Sequence, residues 1–376
     1  MNGFTADVIV IGGGIVGSSI AFRLAGKGLS VILLEKGRVG EEASGRNSGG
    51  VRQQDRHWVE LSMAMEAINL WADMKEELDW DVGYRRVGNI HYGHSRERLE
   101  QLRGVAEREI KGGLEVQMLS PEETRRLTPS LSERIELHGS KYCPSDGTAN
   151  PLLVVKAICR AARRKGVRIH EHTSVRQLTT HNGRVAAAVT EDGAYEGAIC
   201  VIAAGPWTKG LCNMVGFDVS TKVEKRSLMV TEALPPMITP FVESDKLYYR
   251  QTLEGNIHVG GSITASPIEG DQTSVEFKSF IEVGRWLPAF VPATRNVKLI
   301  RAFSGIRESS PDRIFTLDRA PGFENFFIAS GFSGGFCLGP IVGKLMAEWI
   351  AEGKSSLDVS PFRWSRFGTR SERQLS

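Results

Sequence analysis

Three glycines near the start of the chain, in the pattern Gly12-x-Gly14-x-x-Gly17, have the spacing of a phosphate-binding turn. The first glycine permits a tight bend, the second admits a pyrophosphate to the backbone, and the third lets helix and strand pack closely. The helix that follows directs free N–H groups and a positive dipole end at the phosphates. Glu35 follows at roughly the interval of about 20 residues expected for an acid that binds a ribose diol. This pattern predicts a dinucleotide site and disfavours NADP, whose 2′-phosphate the carboxylate would repel.

The elements around this turn are those that the motif requires. An apolar run at 6–11 predicts a strand buried on both faces, 18–28 has helical periodicity, and 30–34 is a second buried strand. Together they predict one βαβ unit. Further along, a strand pair is predicted over 167–178 and 184–189, with a turn at 182–183. The polar and basic tail after residue 361 is expected to be loosely ordered.

A second segment, ASGRNSGG at 43–50, consists almost entirely of small residues. The glycine motif by itself does not separate NAD from FAD. A small-residue loop shortly after the second strand can lie against a flat ring system and bond its nitrogens and oxygens, which favours FAD. The alternative is that the segment is a flexible surface loop.

Composition limits the classes of function. The chain has 376 residues, with 47 Lys and Arg against 44 Asp and Glu, and a net charge of +3. This balance argues against a dedicated nucleic-acid binder. The scattered cysteines predict reduced thiols, with no disulfide, metal site or iron–sulfur cradle: Cys143, Cys159, Cys200, Cys212 and Cys337. We expect no signal peptide and no transmembrane segment, and a cytoplasmic location, peripheral to a membrane only through partners.

Seven motifs together carry a family resemblance: GGGIVG at 12–17, LLEK at 33–36, EEASGRNSGG at 41–50, DGT at 146–148, VIAAGPW at 201–207, SGIR at 304–307 and GFSGGF at 331–336. In these the chain resembles the D-amino-acid-oxidase-type FAD-dependent oxidoreductases, and more narrowly the glycine and sarcosine oxidase branch. Within that branch it is similar to the FAD-bearing β subunits of opine oxidase, D-hydroxyproline dehydrogenase, proline dehydrogenase and hydrogen cyanide synthase.

The resemblance implies an α/β (α+β overall) fold. A Rossmann-like FAD-binding domain of the glutathione-reductase type would comprise 1–80, 148–222 and 312–376. A substrate-binding domain with a mixed or antiparallel β-sheet and flanking helices would comprise 81–147 and 223–311.

The resemblance also implies the residues of a cofactor site. Val175 would contact adenine through its backbone, and 333–336 would face the flavin pyrimidine. The full predicted set is Gly12, Gly14, Ile15, Val16, Gly17, Glu35, Lys36, Ser44, Arg46, Asn47, Ser48, Gly49, Gly50, Val175, Ala204, Gly205, Trp207, Ser333, Gly334, Gly335 and Phe336.

Two residues match the family's substrate site. Arg307 matches the arginine that grips a substrate carboxylate, and Tyr248 matches the tyrosine that shares it. Arg52, Tyr249 and Arg250 are further candidates near the pocket. For each single residue, a salt bridge or a packing role is the alternative.

The implied activity is oxidation of an amino acid or secondary amino acid of the D-hydroxyproline, proline, opine or sarcosine type. A hydride would pass from Cα to flavin N5 and leave an imine, with no obligatory side-chain base. FAD would be non-covalent, because Gly305 stands approximately where monomeric sarcosine oxidases carry the cysteine that tethers FAD. FMN at a subunit interface stays open.

Residues 261–273 contain no lysine, whereas monomeric sarcosine oxidases carry an oxygen-activating lysine in that region. This favours a dehydrogenase within a hetero-oligomer, whose partner subunits carry an iron–sulfur cluster or a further flavin. The alternatives are a stand-alone oxidase that produces hydrogen peroxide and a non-catalytic flavin-binding subunit used for assembly or electron relay.

Overall fold

A computed structural model describes residues 4–261, 265–267 and 274–367. Its strands are β1 (Phe4–Ile11), β2 (Val31–Leu34), β3 (Gly50–Val51), β4 (Asn89–Gly93), β5 (Gln117–Leu119), β6 (Gly139–Cys143), β7 (Gly147–Thr148), β8 (Arg168–His170), β9 (Gln177–His181), β10 (Arg184–Val189), β11 (Ala194–Ile202), β12 (Lys222–Ala233), β13 (Phe241–Glu243), β14 (Leu247–Gln251), β15 (Asn256–Gly261), β16 (Ala265–Pro267), β17 (Leu299–Ser309), β18 (Thr316–Arg319) and β19 (Phe326–Ser330). Its helices are α1 (Ile15–Gly26), α2 (Leu61–Leu78), α3 (Arg96–Lys111), α4 (Pro121–Leu127), α5 (Pro151–Arg164), α6 (Thr208–Asn213), α7 (Phe277–Phe290) and α8 (Gly335–Glu352).

The first sheet carries the predicted βαβ unit. Its main path runs β18-β19-β11-β1-β2-β8, and the β9–β10 hairpin joins it beside β11. Parallel pairing links β1 to β2 and to β11, β2 to β8, and β11 to β19. The last four residues of β1 and all of β2 are buried, because α1, α2, α5 and α8 cover one face and a second apolar cluster that includes α6 covers the other. This burial on both faces explains the near-continuous apolar runs in the sequence.

The second sheet is largely antiparallel and follows the order β16-β12-β15-β14-β13-β4-β6-β5, with β17 also paired to β12. Helix α7 packs on it over an apolar core that includes Tyr92, Tyr249 and Phe290. The combination of a Rossmann-like sheet and a second sheet with flanking helices confirms the predicted fold class.

Strands of the second sheet come from two stretches of the chain. They lie within 89–143 and 222–309, and strands of the first sheet lie before, between and after them. These stretches correspond closely to 81–147 and 223–311. The division into two domains with those boundaries stays a prediction.

The segment 167–178 differs from its prediction. It forms two strands, β8 parallel to β2 and β9 antiparallel to β10, rather than one strand of a hairpin. His172 interrupts it with a φ of 56°, so the backbone turns between the two strands. The predicted turn itself is present, since Asn182 and Gly183 have φ values of 48° and 71°, the left-handed pair of a tight hairpin.

The start of the C-terminal tail is packed against the protein, which differs from the loosely ordered tail that the sequence predicts. Phe362 and Trp364 are buried, and Trp364 packs edge-on against Phe217 at 5.1 Å between ring centroids. These aromatic contacts hold the chain against the first sheet as far as residue 367. Residues 368–376 lie outside the described part of the chain.

Candidate active site

A cavity of about 710 Å³ lies where the carboxyl ends of β1, β2 and β11 meet one face of the second sheet. Gly12, Glu35 and Ala204, which follow these strands, line its first-sheet end. Tyr248 and Arg307 of the second sheet line its other end. The edge at which parallel strands end is the usual ligand site of such sheets, and the volume falls within the range of about 300–1,000 Å³ for small-molecule sites.

Each glycine of the turn has its own structural reason. Gly12 has a φ of 112°, and a Cβ there would lie 2.4 Å from the carbonyl oxygen of Ala203. A Cβ at Gly17 would lie 2.0 Å from the carbonyl oxygen of Gly12, so helix and strand could not approach. At Gly14 the protein atom nearest to a Cβ is Ser44 Oγ, at 3.0 Å. Gly12 and Gly17 are therefore required by the fold, whereas the space at Gly14 belongs to the cavity.

The first turn of α1 opens into this cavity. Gly14 is its N-cap residue and supplies no side-chain cap, and Ile15 and Val16 line the cavity beside it. Exposed N–H groups and a positive dipole end are thereby presented to whatever occupies the space. Gly17 lies one residue deeper, is buried and does not line the cavity.

Glu35 is held at the end of β2 by the turn itself. Its carboxylate accepts bonds from the backbone N–H of Gly13 at 2.7 Å and of Gly37 at 2.8 Å. Burial raises the pKa of this carboxyl, and the two backbone bonds oppose the change. Next to it, Lys36 Nζ stands 3.3 Å from the ring centroid of Trp207, and both residues line the cavity. The Glu35 carboxylate, fixed in this way, can accept hydrogen bonds from the hydroxyl groups of a ligand.

The small-residue loop is ordered by its own hydrogen bonds. Ser44 Oγ accepts from the backbone N–H of Ile15 at 2.9 Å, which ties the loop to the start of α1. The Asn47 amide donates to the carbonyls of Ala43 and Ser44 and accepts from the N–H of Gly49 at 2.7 Å. The loop is therefore a fixed wall of the cavity rather than a flexible surface segment, and the Asn47 side chain shapes that wall from within.

Neighbouring loop residues fall into two groups. Arg46, Asn47, Ser48 and Gly50 line the cavity, as do Ala43 and Ser44 before them. Gly49 does not, because it packs against the chain behind the loop: its φ is 78°, and a Cβ would lie 2.2 Å from the carbonyl oxygen of Ala149. Arg250 supports the loop from the same side by donating to the carbonyl of Ser48 and to that of Ala149. Its role is structural support.

Another part of the cavity wall comes from the segments that precede α6 and α8. Val175, between β8 and β9, lines the cavity together with Ala204, Gly205 and Trp207. The predicted residues 333–336 do so as well, at the start of α8. The N-cap of α8 is also a glycine without a side-chain cap, so two helix starts border the same cavity.

Arg307 lies on β17 with its guanidinium at the far end of the cavity. Its Nη1 donates to the backbone carbonyl of Ser333 at 3.0 Å, and its Nε and Nη2 donate to Glu224 Oε2 at 3.2 and 2.8 Å. The Arg307 guanidinium holds the pKa of Glu224 below its usual value. Arg307 thus links the second sheet to the start of α8 while lining the cavity.

Tyr248 and Tyr249 point to opposite faces of β14, as successive strand residues must. Tyr248 lines the cavity and lies across Gly260, where a Cβ would be 2.2 Å from the phenol oxygen. Tyr249 is 1% exposed in the core beside Phe290 and does not line the cavity. The structure therefore does not bring Tyr249 to the site as predicted.

Arg52 lines the cavity near Tyr248 and is held by two carboxylates. Its Nη1 lies 3.3 Å from Asp55 Oδ2, and its Nε lies 3.5 Å from Glu243 Oε1. Behind it, Asp55 also pairs with His91 at 2.9 Å and with the buried Lys141 at 3.0 Å. Burial raises the pKa of Asp55, but His91, Lys141 and Arg52 together hold it well below its usual value.

Sequence reasoning missed several charged residues of the cavity lining, among them Arg226, Glu243 and Arg56. Arg226 lies on β12 opposite Gly305 of β17. Strand periodicity gives the alternation along β12, but the cross-strand register that sets Arg226 beside the SGIR motif is not readable from one sequence.

Among the described residues, no group of three or more His, Cys, Asp or Glu side chains could hold a metal ion.

Comparison with known proteins identifies the family. The model of the DAO family, described as FAD dependent oxidoreductase, matches residues 7–349. The chain belongs to this family. The resemblance to its glycine and sarcosine oxidase branch is confirmed, and FAD is the cofactor of the DAO family.

Individual relatives of this DAO-family protein differ in role. This chain is 27% identical over 384 residues to the pyruvate dehydrogenase phosphatase regulatory subunit of Mus musculus. The matched region covers 96% of this chain and 43% of that protein. The chain is 28% identical over 389 residues to an opine oxidase subunit of Rhizobium meliloti, covering 97% and 98% respectively. The structure of L-proline dehydrogenase from P. horikoshii superposes with a TM-score of 0.92 at 26% identity over 99% of each chain.

The chain spans less than half the length of several of the curated relatives that it matches. The cavity of the DAO-family protein nonetheless fits FAD in three respects: the empty space at Gly14, the two glycine-capped helix starts and the Glu35 carboxylate. A pyrophosphate requires a glycine at the start of the helix, because a Cβ at that position would occupy the space of the phosphates.

Proposed function

We propose that this protein oxidises the C–N bond of an amino acid or secondary amino acid, of the D-hydroxyproline, proline, opine or sarcosine type. The observation that carries the proposal is the position of Arg307 and Tyr248. Both line the cavity at the end opposite Glu35, which would hold the adenosine ribose. A carboxylate bound there would lie at the end of the cavity away from the adenosine.

Two residues would bind the substrate. A guanidinium cannot lose its proton and can bind a carboxylate bidentately, which suits Arg307. Tyr248 would add a hydroxyl donor: burial raises the pKa of this phenol, and the nearby guanidiniums of Arg226 and Arg307 act in the opposite direction. Arg52 is a third candidate. Fixing the carboxylate orients Cα, and orientation is the main contribution of these side chains.

When bound, FAD supplies the oxidising group, which accepts a hydride from Cα. The substrate amine must be uncharged to release that hydride, and we assign no side-chain base. The product is an imine, which water hydrolyses to an oxo acid or which persists when cyclic. We assign the cofactor to the predicted residues that line the cavity. Gly17 and Gly49 act behind the wall, whereas Asn47 lines the cavity and also orders the loop.

We further propose that FAD is held without a covalent bond. Among the described residues that line the cavity, none is cysteine, the residue type that tethers FAD in monomeric sarcosine oxidases. Gly305 lines the cavity instead, and a Cβ there would lie 2.9 Å from the carbonyl oxygen of Arg46. A longer side chain at 305 would displace this loop.

We propose that the electrons pass from the flavin to a partner protein. Similarity to an opine oxidase subunit over nearly all of both chains supports a hetero-oligomer. A partner protein with an iron–sulfur cluster or a further flavin, including FMN at the interface, would accept the electrons. The missing lysine in 261–273 supports the same assignment, although 262–264 and 268–273 lie outside the described residues.

A second candidate is a flavin-binding subunit without turnover. Similarity to a protein named as a regulatory subunit favours it. We propose a cytoplasmic location for either function. None of the helices within the described residues combines the length and apolar character needed to cross a membrane.

The deciding experiment is anaerobic titration of the FAD-loaded chain with sarcosine, proline, D-hydroxyproline, glycine and an opine, followed by loss of oxidised flavin absorbance. Bleaching by one of them supports catalysis, and rapid recovery in air with peroxide identifies an oxidase. FAD that none of them reduces supports the subunit without turnover. Arg307→Ala should retain FAD but bind and oxidise substrate at least about 10-fold less well, whereas Arg301→Ala, an exposed arginine of the same strand outside the cavity lining, should not.

A further inference from the structure

Two arginines hold the start of α8. Arg307 Nη1 donates to the carbonyl of Ser333 at 3.0 Å, and Arg56 Nη1 donates to the carbonyl of Gly334 at 2.9 Å. Gly334 is the N-cap residue of this helix, and both arginines line the cavity. Two consecutive carbonyls are thus bonded, one from β17 and the other from the segment between β3 and α2. The proposed function uses Arg307 and leaves Arg56 without a role.

The Arg56 guanidinium is fixed by further contacts. Its side chain is 6% exposed, and Nε and Nη2 both donate to the carbonyl of Arg52, at 3.2 and 3.1 Å. Its Nη1 also lies 3.8 Å from Glu60 Oε2. Burial raises the pKa of Glu60, and the Arg56 charge opposes this change. Arg56 lines the cavity and Glu60 does not, so the positive end of this pair is the one directed at the cavity.

A positive charge beside the start of a helix is electrostatically unfavourable. The N-terminal end of a helix presents free N–H groups and a positive dipole end, which attract anions and repel cations. Helix α8 has 18 residues, and its first turn, which the structure describes in full, contains no acidic residue. The charge of Arg56 and the helix end are therefore mutually repulsive. An anion within the cavity beside both would relieve this repulsion.

Other charged groups line the same part of the cavity, namely Arg52, Arg226, Arg307, Arg313, Glu243 and Glu308. Arg307 pairs with Glu224, and Arg52 pairs with Asp55 and Glu243. The Glu308 carboxyl accepts bonds from Ser330 and Gly331, just before the start of α8. All of these groups stay in place when Arg56 alone is replaced. Comparison of variants at position 56 therefore isolates the contribution of that one charge.

We propose that Arg56 stabilises negative charge on the reduced flavin and thereby raises the reduction potential of bound FAD. This rests on the proposed function, in which 333–336 face the flavin pyrimidine. A hydride carries two electrons and one proton to a neutral ring, so the ring gains one negative charge. Opposite charges attract strongly in a site shielded from water. Arg56 acts through its charge and transfers no proton, because a guanidinium stays protonated.

The reduction potential of the FAD-loaded chain tests the proposal without any substrate. Reduction by dithionite under anaerobic conditions, beside a reference dye, gives the potential of bound FAD and that of free FAD. We expect the bound cofactor to have the higher potential, since the protein would bind reduced FAD more tightly than oxidised FAD. A potential below that of free FAD would overturn the proposal, and this comparison needs no variant.

The variant Arg56→Met keeps the apolar stem and removes the charge. The equilibrium should shift at least about 10-fold towards oxidised FAD, the size of one interaction with a charged group. For a two-electron couple this corresponds to a potential lower by about 30 mV or more. An unchanged potential, with oxidised and reduced FAD bound equally less tightly, would mean that Arg56 only holds the start of α8 in place, and would overturn the proposal.

The variant Arg56→Lys separates charge from hydrogen bonding. Lysine keeps the positive charge but lacks the planar fork that bonds the carbonyls of Arg52 and Gly334 together. It should retain most of the parental potential. A potential as low as that of Arg56→Met would show that the bonds matter and the charge does not. Arg301→Met, which removes an exposed arginine outside the cavity lining, is the matched control and should leave the potential unchanged.

The same variants separate this proposal from the one on which it rests, because dithionite reduces the flavin whether or not an amine does. If Arg56→Met lowers the potential but no amine bleaches the parent, the role of Arg56 stands and amine oxidation fails. If an amine bleaches the parent and the potentials of parent and variant agree, amine oxidation stands and the role of Arg56 fails. Bleaching by an amine together with a lowered potential supports both.

Discussion

Glu224 and Arg307 are direct cross-strand partners, and one carboxylate oxygen of Glu224 receives two of the guanidinium's hydrogen bonds, at 2.8 and 3.2 Å. The side chain proposed to bind the substrate is therefore already paired with a carboxylate of the protein. Glu224 fixes the direction of the guanidinium, and a substrate carboxylate must share Arg307 with it. The affinity of the site is thus set by a competition between two anions.

The first prediction concerns that competition. Glu224→Gln keeps an oxygen that can accept a bond from Arg307 but removes the like charge beside the incoming carboxylate. Methoxyacetate, in which an ether oxygen replaces the nitrogen of sarcosine, should then bind about threefold more tightly or better, because juxtaposed like charges oppose binding. Calorimetry on the FAD-loaded variant measures this, with Glu232→Gln of the same strand, outside the cavity lining, as the control. Weaker binding would show that orientation of Arg307 by a full charge matters more than repulsion.

The second prediction separates two glycines of one motif. Gly17→Ala would place a Cβ 2.0 Å from the carbonyl oxygen of Gly12, so it should lower the free energy of unfolding by at least about 2 kcal/mol even without cofactor. Gly14→Ala would meet Ser44 Oγ at 3.0 Å and otherwise enter the cavity. It should leave the cofactor-free chain folded and weaken FAD binding at least about 10-fold. Urea unfolding and FAD titration of both variants check this, and loss of stability in Gly14→Ala would contradict it.

The third prediction is a pH dependence from Glu308. Burial raises the pKa of this carboxyl to about 7, against hydrogen bonds from Gly331 and Ser330 that lower it, whereas the ordinary value is 4.5. Between these values the folded state holds a proton that the unfolded chain has released. The contribution of Glu308 to the free energy of unfolding therefore falls as pH rises from about 4.5 to about 7, and it is constant above that range.

Glu308→Gln removes this titration and retains an acceptor for both bonds. The variant should gain up to about 3 kcal/mol over the parent chain at pH 8 and little at pH 4.5. Urea unfolding at the two pH values measures the difference, with the exposed Glu107→Gln as control. A gain that is the same at both pH values would show that Glu308 does not titrate in this range.

The fourth prediction concerns the buried charges behind Arg52. Lys141 is completely buried, and its Nζ lies 3.0 Å from Asp55 Oδ1 and 2.7 Å from Glu109 Oε2. Lys141→Met leaves both carboxylates without this partner and should cost about 3–5 kcal/mol of unfolding free energy. Lys75→Met, at an exposed lysine, should cost almost nothing. Because Asp55 also pairs with Arg52, the Lys141 variant should weaken ligand binding as well, and unchanged stability would refute the account.

The sequence by itself determined the local part of the cofactor site. Gly12, Gly14 and Gly17 lie on consecutive backbone within one strand–turn–helix unit, so their spacing fixes their geometry without help from distant residues. The same holds for the Asn182–Gly183 turn. Arg307 and Tyr248 were assigned through family motifs, and both line the cavity.

Tertiary structure alone decided what surrounds those residues. Tyr248 lines the cavity and Tyr249 does not, because only one face of β14 meets the cavity. A shift of one residue in register would exchange the two faces. The pairing of β12 with β17 places Arg226 and Glu224 beside Arg307, although about 80 residues separate them along the chain. Such contacts depend on the register of strands brought together by the whole fold. Spacing along one sequence determines local geometry and leaves that register open.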